Sequence, residues 1–286
     1  SAEKNACCAS TRVSPRTRAK VLAAAELLDY RPNHVARSLK TRSTRTIAIL
    51  APELANDFFM ELAESAEKEL GKAGYMLLIS SSSNSAEEEA RSLKMLSQRL
   101  VDGIIVVPAS REGAHIQAIA EEGTPVVLVD RLVDNAALDA VLADNEGGAW
   151  EATKALLADG FTRIAFVGGD LALTTACERL SGFALAMAEA GQVTTDARLG
   201  GMGIADGYRL MDRIMQEKKP PQALFAVNLL VHLGMDCPPL LPPIAGNPEI
   251  DQLWSTGHVQ SGGWVKFRIS WKDVRPRWLG YRRQPP

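Results

Sequence analysis

From Thr46 to about residue 227 the chain alternates two kinds of stretch, and that alternation leaves few folds open to it. Short, continuous apolar runs at 46–51, 76–80, 103–107 and 125–129 are separated by amphipathic stretches at 57–73, 86–98 and 113–121. Unbroken apolar runs suit parallel strands covered on both faces. Gly74, Gly103 and Gly123 stand where a helix or its exit must turn. Repeated βαβ units of this kind predict an α/β fold with a doubly wound parallel sheet. The rhythm continues through a short strand at 140–143, the pair Asp144-Asn145 and a helix at 147–158. A second lobe is expected to open at 163–168, with a helix at 176–190, a strand near 199–202, a helix at 206–216 and a strand at 223–227. Two such lobes in tandem leave a cleft, and ligands bind beyond the carboxyl ends of the strands. Residues 54–59, Asp130, Arg131, residues 170–179 and Asn228 fall near that cleft.

The stretch ahead of Thr46 has a different character. Ser14 can cap a helix, Pro15 suits its first position, and Val21, Leu22, Ala25 and Leu28 share one face. A second, short helix is expected over 32–40, marginal in water without a partner. Residues 1–46 carry ten Lys/Arg against three acids, whereas the other 240 carry 22 against 31. A basic arm on an acidic body suits an element that meets phosphate, and it equally describes a solvated basic leader.

Several classes are disfavoured. No apolar run is long enough to span a membrane, and residues 1–10 lack the layout of a secretory signal. Cys7, Cys8, Cys177 and Cys237 have no metal-ligand or redox spacing and read as free cytosolic thiols. No P-loop, G-x-S-x-G or H-E-x-x-H is present, and His34, His115, His232 and His258 are scattered. No enzyme activity, cofactor or metal is therefore expected. After Met235 the composition changes: residues 236–286 hold eight of the fifteen prolines and four of the five tryptophans, and only 264–271 could alternate as a strand.

Specific residues then narrow the reading. V-S-P-R-T-R-A-K-V leads to L-D-Y-R-P-N-H-V-A-R-S-L, and then R-T-I-A-I-L opens the first strand. Further on stand P-E-L-A-N-D-F-F, P-V-V-L-V-D-R, D-N-E-G-G-A, E-R-L-S-G-F and A-L-F-A-V-N. From about Val13 to about Met235 this resembles the LacI/GalR (lactose-repressor) family of transcription regulators. Residues 1–12 and 236–286 depart from the family pattern. The resemblance implies a two-lobed, periplasmic-binding-protein-like (type I) effector domain with doubly wound parallel sheets. It would be preceded by a partial helical DNA-binding headpiece and a hinge helix. The expected division is 1–45 for headpiece remnant and hinge (32–40), 46–235 for an incomplete effector domain, and 236–286 for an atypical tail.

In the family, paired hinge helices sit over the minor groove and a leucine wedges between base steps. That assigns DNA contact to Asn33, Val35, Ala36, Arg37, Leu39 and Lys40. By pattern alone Leu39 is a helix-packing leucine; the whole segment's match favours the wedge. The family's major-groove helix has no counterpart in residues 1–12, so base readout there is expected to be impaired, with weak, salt-sensitive binding left. For the effector the resemblance assigns Phe58, Phe59, Asp130, Arg179, Met202 and Asn228. The phenylalanines suit either an apolar platform or the core. Arg179 suits either a fork on ligand oxygens or a lobe-stabilising ion pair. Asp144 and Asn145 suit either ligand contact or a helix cap. In place of the family's proline stands Asp57, and the aspartate that completes the family's site after the next strand has no match.

What this implies is a cytoplasmic, homodimeric repressor. Its operator affinity would be set by a small sugar-like effector bound between the lobes. A truncated regulator or sugar-binding protein that senses ligand without sequence-specific DNA binding is the alternative. An amphipathic face over 57–73 is a candidate dimer surface.

Overall fold

In a computed structural model, which describes residues 14–28, 30, 43–98, 101–192, 195–236, 259–260 and 264–265, the apolar run at Thr46 becomes β1 (Thr46–Ala51). Around it assemble β2 (Met76–Ser81), β3 (Gly103–Val106), β4 (Val126–Val129) and β5 (Asp139–Val141) in the order β2-β1-β3-β4-β5, all parallel. Successive side chains of a strand point to opposite faces. Ala48 and Leu50 therefore pack with Leu93, Leu96 and Ile116 of α3 (Ala86–Ser97) and α4 (Ala114–Glu121). Ile49 and Ala51 pack with Phe59 and Ala63 of α2 (Asp57–Lys72). Covering both faces explains why β1 is apolar throughout. Asn56 and Ser85 cap α2 and α3 through side-chain oxygens that accept from Phe58 N and Glu88 N.

The chain crosses to the second lobe earlier than expected. After β5 it leaves the first sheet, and α5 (Asn145–Ala158) packs on α6 (Thr174–Glu189), not on the first lobe. Ala149, Ala152 and Leu156 join the core of β6 (Ile164–Val167). The lobe thus begins with α5, not at residue 163. A helix's apolar stripe tells that it packs, not which sheet it covers. The second sheet is parallel, with order β7-β6-β8 from β7 (Asp196–Arg198) and β8 (Ala223–Ala226). The strand expected near 199–202 is instead β7, and its polarity hid it. Arg198 bonds Asp196, two residues back on the same strand, at 2.5 Å and also pairs with Glu217. Phe166, Phe183 and Phe225 fill this core with ring centroids 5.4–5.8 Å apart.

Two helix pairs approach closely because glycines allow it. A Cβ on Gly182 of α6 would lie 2.0 Å from the Glu146 carbonyl oxygen of α5. Between α7 (Ile204–Met215) and α8 (Leu229–Asp236), a Cβ on Gly207 would meet Val231 O at 2.0 Å and one on Gly234 would meet Ile204 O at 1.9 Å.

At the N-terminal end, α1 (Pro15–Leu27) starts as its sequence suggests, with Pro15 first and Ser14 Oγ accepting from Thr17 N at 3.2 Å. None of its residues is buried, and Leu27 is 88% exposed. Asn33, Val35, Ala36, Arg37, Leu39 and Lys40, with the expected hinge helix 32–40, lie outside the described residues. In the tail, β9 (Val259–Gln260) and β10 (Trp264–Val265) pair antiparallel.

Candidate functional site

The carboxyl end of β4 delivers the first functional side chain. Asp130 follows Val129 directly and takes φ +71°, a conformation uncommon for a residue other than glycine. Its backbone N donates to Val141 O at 3.0 Å, which ties the turn to β5. The turn carries two charged residues inward. Asp130 and Arg131 are both buried, and Arg131 Nε lies 3.3 Å from Asp130 Oδ2. Arg131 Nη1 donates to Pro108 O at 3.0 Å, and the guanidinium stands 5.9 Å from the centroid of the Phe59 ring.

Burial shifts both members of this pair. Burial pushes the Asp130 carboxyl up, although Arg131 and Arg179 pull it the other way. Burial likewise lowers the Arg131 guanidinium against the influence of Asp130, Glu89 and Asp170. In both groups the desolvation of burial outweighs the pull of the opposite charges. Perturbed groups of this kind concentrate at functional sites.

From the second lobe comes Arg179, on the second turn of α6. Its Nε donates to Asn145 Oδ1 at 3.0 Å and its Nη1 to Val227 O at 2.8 Å. Asn145 is itself buried and donates through Nδ2 to Glu178 Oε2 at 2.8 Å. The amide thus braces Arg179 and Glu178 together, and the contact at Gly182 brings α5 near enough for it to do so. Burial lowers the Arg179 guanidinium, and Asp130, in the opposite lobe, acts against that. The lobes also meet directly where Leu132 N donates to Thr174 Oγ1 at 3.2 Å. Charged groups of both lobes therefore converge on the gap between β4 and α6.

The other assigned positions separate into distinct roles. Phe58 is 45% exposed at the start of α2, and its ring meets that of Phe59 edge-on at 5.3 Å. Phe59 is 3% exposed and belongs to the core, where it backs Arg131, so only Phe58 offers a ring. Met202 packs partly buried against the second core, and its carbonyl accepts from Asn228 Nδ2 at 2.9 Å. Asn228 Oδ1 accepts from Val231 N at 2.8 Å, which caps α8. Asp144 accepts from Gly147 N at 2.8 Å, the cap left open by the sequence.

Sequence reasoning missed Glu89 and placed Asp170 and Thr174 near the cleft without giving either a role. Glu89 is wholly buried, accepts from Ala109 N at 2.6 Å and bonds His115 Nε2 at 2.7 Å beneath the Arg131 loop. Asp170 acts on the Arg131 guanidinium and accepts from Ala172 N at 2.9 Å. Thr174 joins the lobes. A glutamate among A-E-E-E-A gives no sign that it is the buried one; the period of α3, which also buries Leu93 and Leu96, was the available signal. Among the described residues no cluster of His, Cys, Asp and Glu is arranged to hold a metal ion.

Known proteins share this architecture. Residues 44–236 match the family described as periplasmic binding proteins and sugar binding domain of LacI family. Catabolite control protein A of Priestia megaterium is 30% identical over 226 residues, covering 78% of this chain and 68% of its own. The HTH-type transcriptional repressor PurR of Histophilus somni (strain 2336) is 33% identical over 225 residues, with the same shares. Among solved structures, the transcriptional regulator CelR in complex with cellobiose superposes with a TM-score of 0.60 at 26% identity, covering 79% of this chain and 69% of that one. These relatives are regulators, not enzymes. A match over two thirds of the chain, with a two-lobed parallel fold to accompany it, places this protein in the LacI family of transcription regulators.

Proposed function

We propose that the gap between β4 and α6 is the effector site of a DNA-binding repressor, and that a small sugar-like molecule bound there sets its operator affinity. The observation that carries this is the convergence of Asp130 and Arg131 from one lobe with Arg179 from the other. Buried charged groups gain when a ligand supplies further hydrogen bonds to them. A polyol fits such a lining, since carboxylates accept from hydroxyls and guanidiniums donate to them. Phe58 would face the apolar side of the ring. Asn145 would hold Arg179 in register, while Met202 and Asn228 would shape the wall of the second lobe.

The remaining parts follow the family. Asn33, Val35, Ala36, Arg37, Leu39 and Lys40 would meet operator DNA, and two copies would be needed to present two hinge segments. Ile79 on the edge strand β2, exposed on the face that Leu77 shares with α2, adds to the apolar surface of α2 and suits a homodimer contact. The proposed divisions are 1–45, 46–235 and 236–286, and the proposed location is the cytoplasm. No helix among the described residues is long and apolar enough to cross a membrane. That the PurR relative is named an HTH-type transcriptional repressor favours this reading over a sugar sensor without DNA binding.

A thermal-shift panel tests the site. The full chain is heated with aldopentoses, aldohexoses, a disaccharide, sugar phosphates and purine bases. At about a hundred times its dissociation constant an effector stabilises by roughly 2.7 kcal/mol, a readily measured rise in melting temperature. A member of the sugar group should raise it; no rise with any sugar contradicts the proposal.

A further inference from the structure

One carboxylate collects four hydrogen bonds from a segment more than fifty residues away in sequence. Asp102 Oδ1 accepts from Thr44 N at 2.6 Å and from Thr44 Oγ1 at 2.8 Å. Its Oδ2 accepts from Ser43 Oγ at 2.5 Å and from Arg45 N at 3.1 Å. Asp102 N donates to Thr46 O at 2.7 Å, so backbone and side chain grip the same stretch. Residues 43–45 are the covalent path between the basic N-terminal segment and β1. Arg45 takes φ +55°, and its guanidinium turns away from Asp102 to the Ala73 carbonyl and the Tyr75 ring, 5.3 Å from its centroid. Nothing in a half-buried linker requires a positive φ and an engaged carboxylate, unless its path has to be fixed.

We propose that Asp102 is a positioning residue. It pins the chain where it enters the first lobe, so that the lobe, not the linker's own preferences, sets the direction in which the DNA-facing segment departs. This rests on the regulator reading for the meaning of that segment. The position of Asp102 adds a consequence. It stands at the start of β3, and β3 leads at its far end to Pro108, whose carbonyl accepts from Arg131 in the cleft. A single strand near the centre of the sheet thus joins the effector-facing turn to the anchor. That is a contiguous route for coupling between the cleft and the anchor.

Partial burial pushes the Asp102 carboxyl up, but the bonds from Ser43, Thr44 and Arg45 together outweigh it and hold the group below its ordinary value. The anchor is therefore complete above the ordinary aspartate range and is lost as pH falls through the lowered value.

Hydrogen–deuterium exchange on the full chain tests this with wild type, D102A and D102N, alongside affinity for a mixed-sequence DNA duplex at low salt. In D102A the amides of residues 44 and 45 should exchange about tenfold faster or more, as expected when bonds to a charged acceptor are removed. D102N should fall between, because its amide oxygen still accepts from Thr44 while its NH2 cannot accept from Ser43 or Arg45. Peptides from β3, β4 and α3 should keep wild-type exchange, and affinity for the duplex should change in D102A. Exchange at 44 and 45 that does not change, or that rises equally across the first lobe, overturns the anchor. If D102A does not fold, the same comparison is decided on D102N. Failure of wild-type protein to bind the duplex would remove the DNA reading instead, and the exchange pattern would still decide the anchor.

Discussion

Asp130 combines a left-handed backbone, a buried carboxyl and neighbours of opposite charge from both lobes. The backbone conformation and the burial cost free energy that the opposite charges offset in part, and together they make sense if the carboxylate is aimed at a ligand. A carboxylate that accepts from ligand hydroxyls must be ionised to do so fully. Burial raises its pKa, so ionisation is lost, as pH falls, at a value above that of an ordinary aspartate. Effector affinity should therefore be flat near neutrality and decline on acidification, beginning above the ordinary value of about 3.9. Asp130→Asn should bind more weakly at neutral pH and lose that acidic step. Calorimetric titrations over a series of pH values measure both. Phe58 and Phe59 show what a pair of letters can and cannot tell. The sequence places two rings at a helix start, but only packing decides that one backs Arg131 while the other faces out.

At the scale of elements, the site depends on how closely helices approach. Gly182 lets α6 press against α5, which brings Asn145 within reach of both Glu178 and Arg179. Gly207 and Gly234 do the same for α7 and α8. In these cases the obstacle to a side chain is backbone, which cannot swing away. Gly234→Ala should therefore destabilise the second lobe by about 1–3 kcal/mol, the usual cost of overpacking. Gly182→Ala should lose stability to a similar degree and weaken effector binding as well, by shifting Asn145 away from Arg179. Urea unfolding followed by titration separates the two effects; equal binding by Gly182→Ala would break the link between this helix contact and the site. Much of the element order was legible, because apolar runs and amphipathic stretches report strands and helices locally. β7 was not, since a three-residue strand bearing Asp196 and Arg198 has no apolar signature. The assignment of α5 to the second lobe was not legible either, nor was the Asp102 anchor, because both depend on contacts between distant parts of the chain.

For the whole molecule, the two lobes are unequal. The first has a five-stranded sheet covered on both faces, and among the described residues the second has three strands. Their covalent crossing after β5 is short, so relative motion is the default expectation, and the contact of Leu132 with Thr174 is a bond that such motion must make or break. A ligand can shift that balance only by touching both lobes differently in the two arrangements. The account's central claim is that one effector is bound by charged groups from both. It is tested most directly by isothermal titration of wild type and Arg179→Ala with whichever sugar gives the largest thermal shift. Losing the donated bonds of a guanidinium should weaken binding by about ten- to a hundredfold with one site per chain retained. An affinity unchanged by Arg179→Ala would contradict it, because the second lobe would then contribute nothing through the residue on which the site is built.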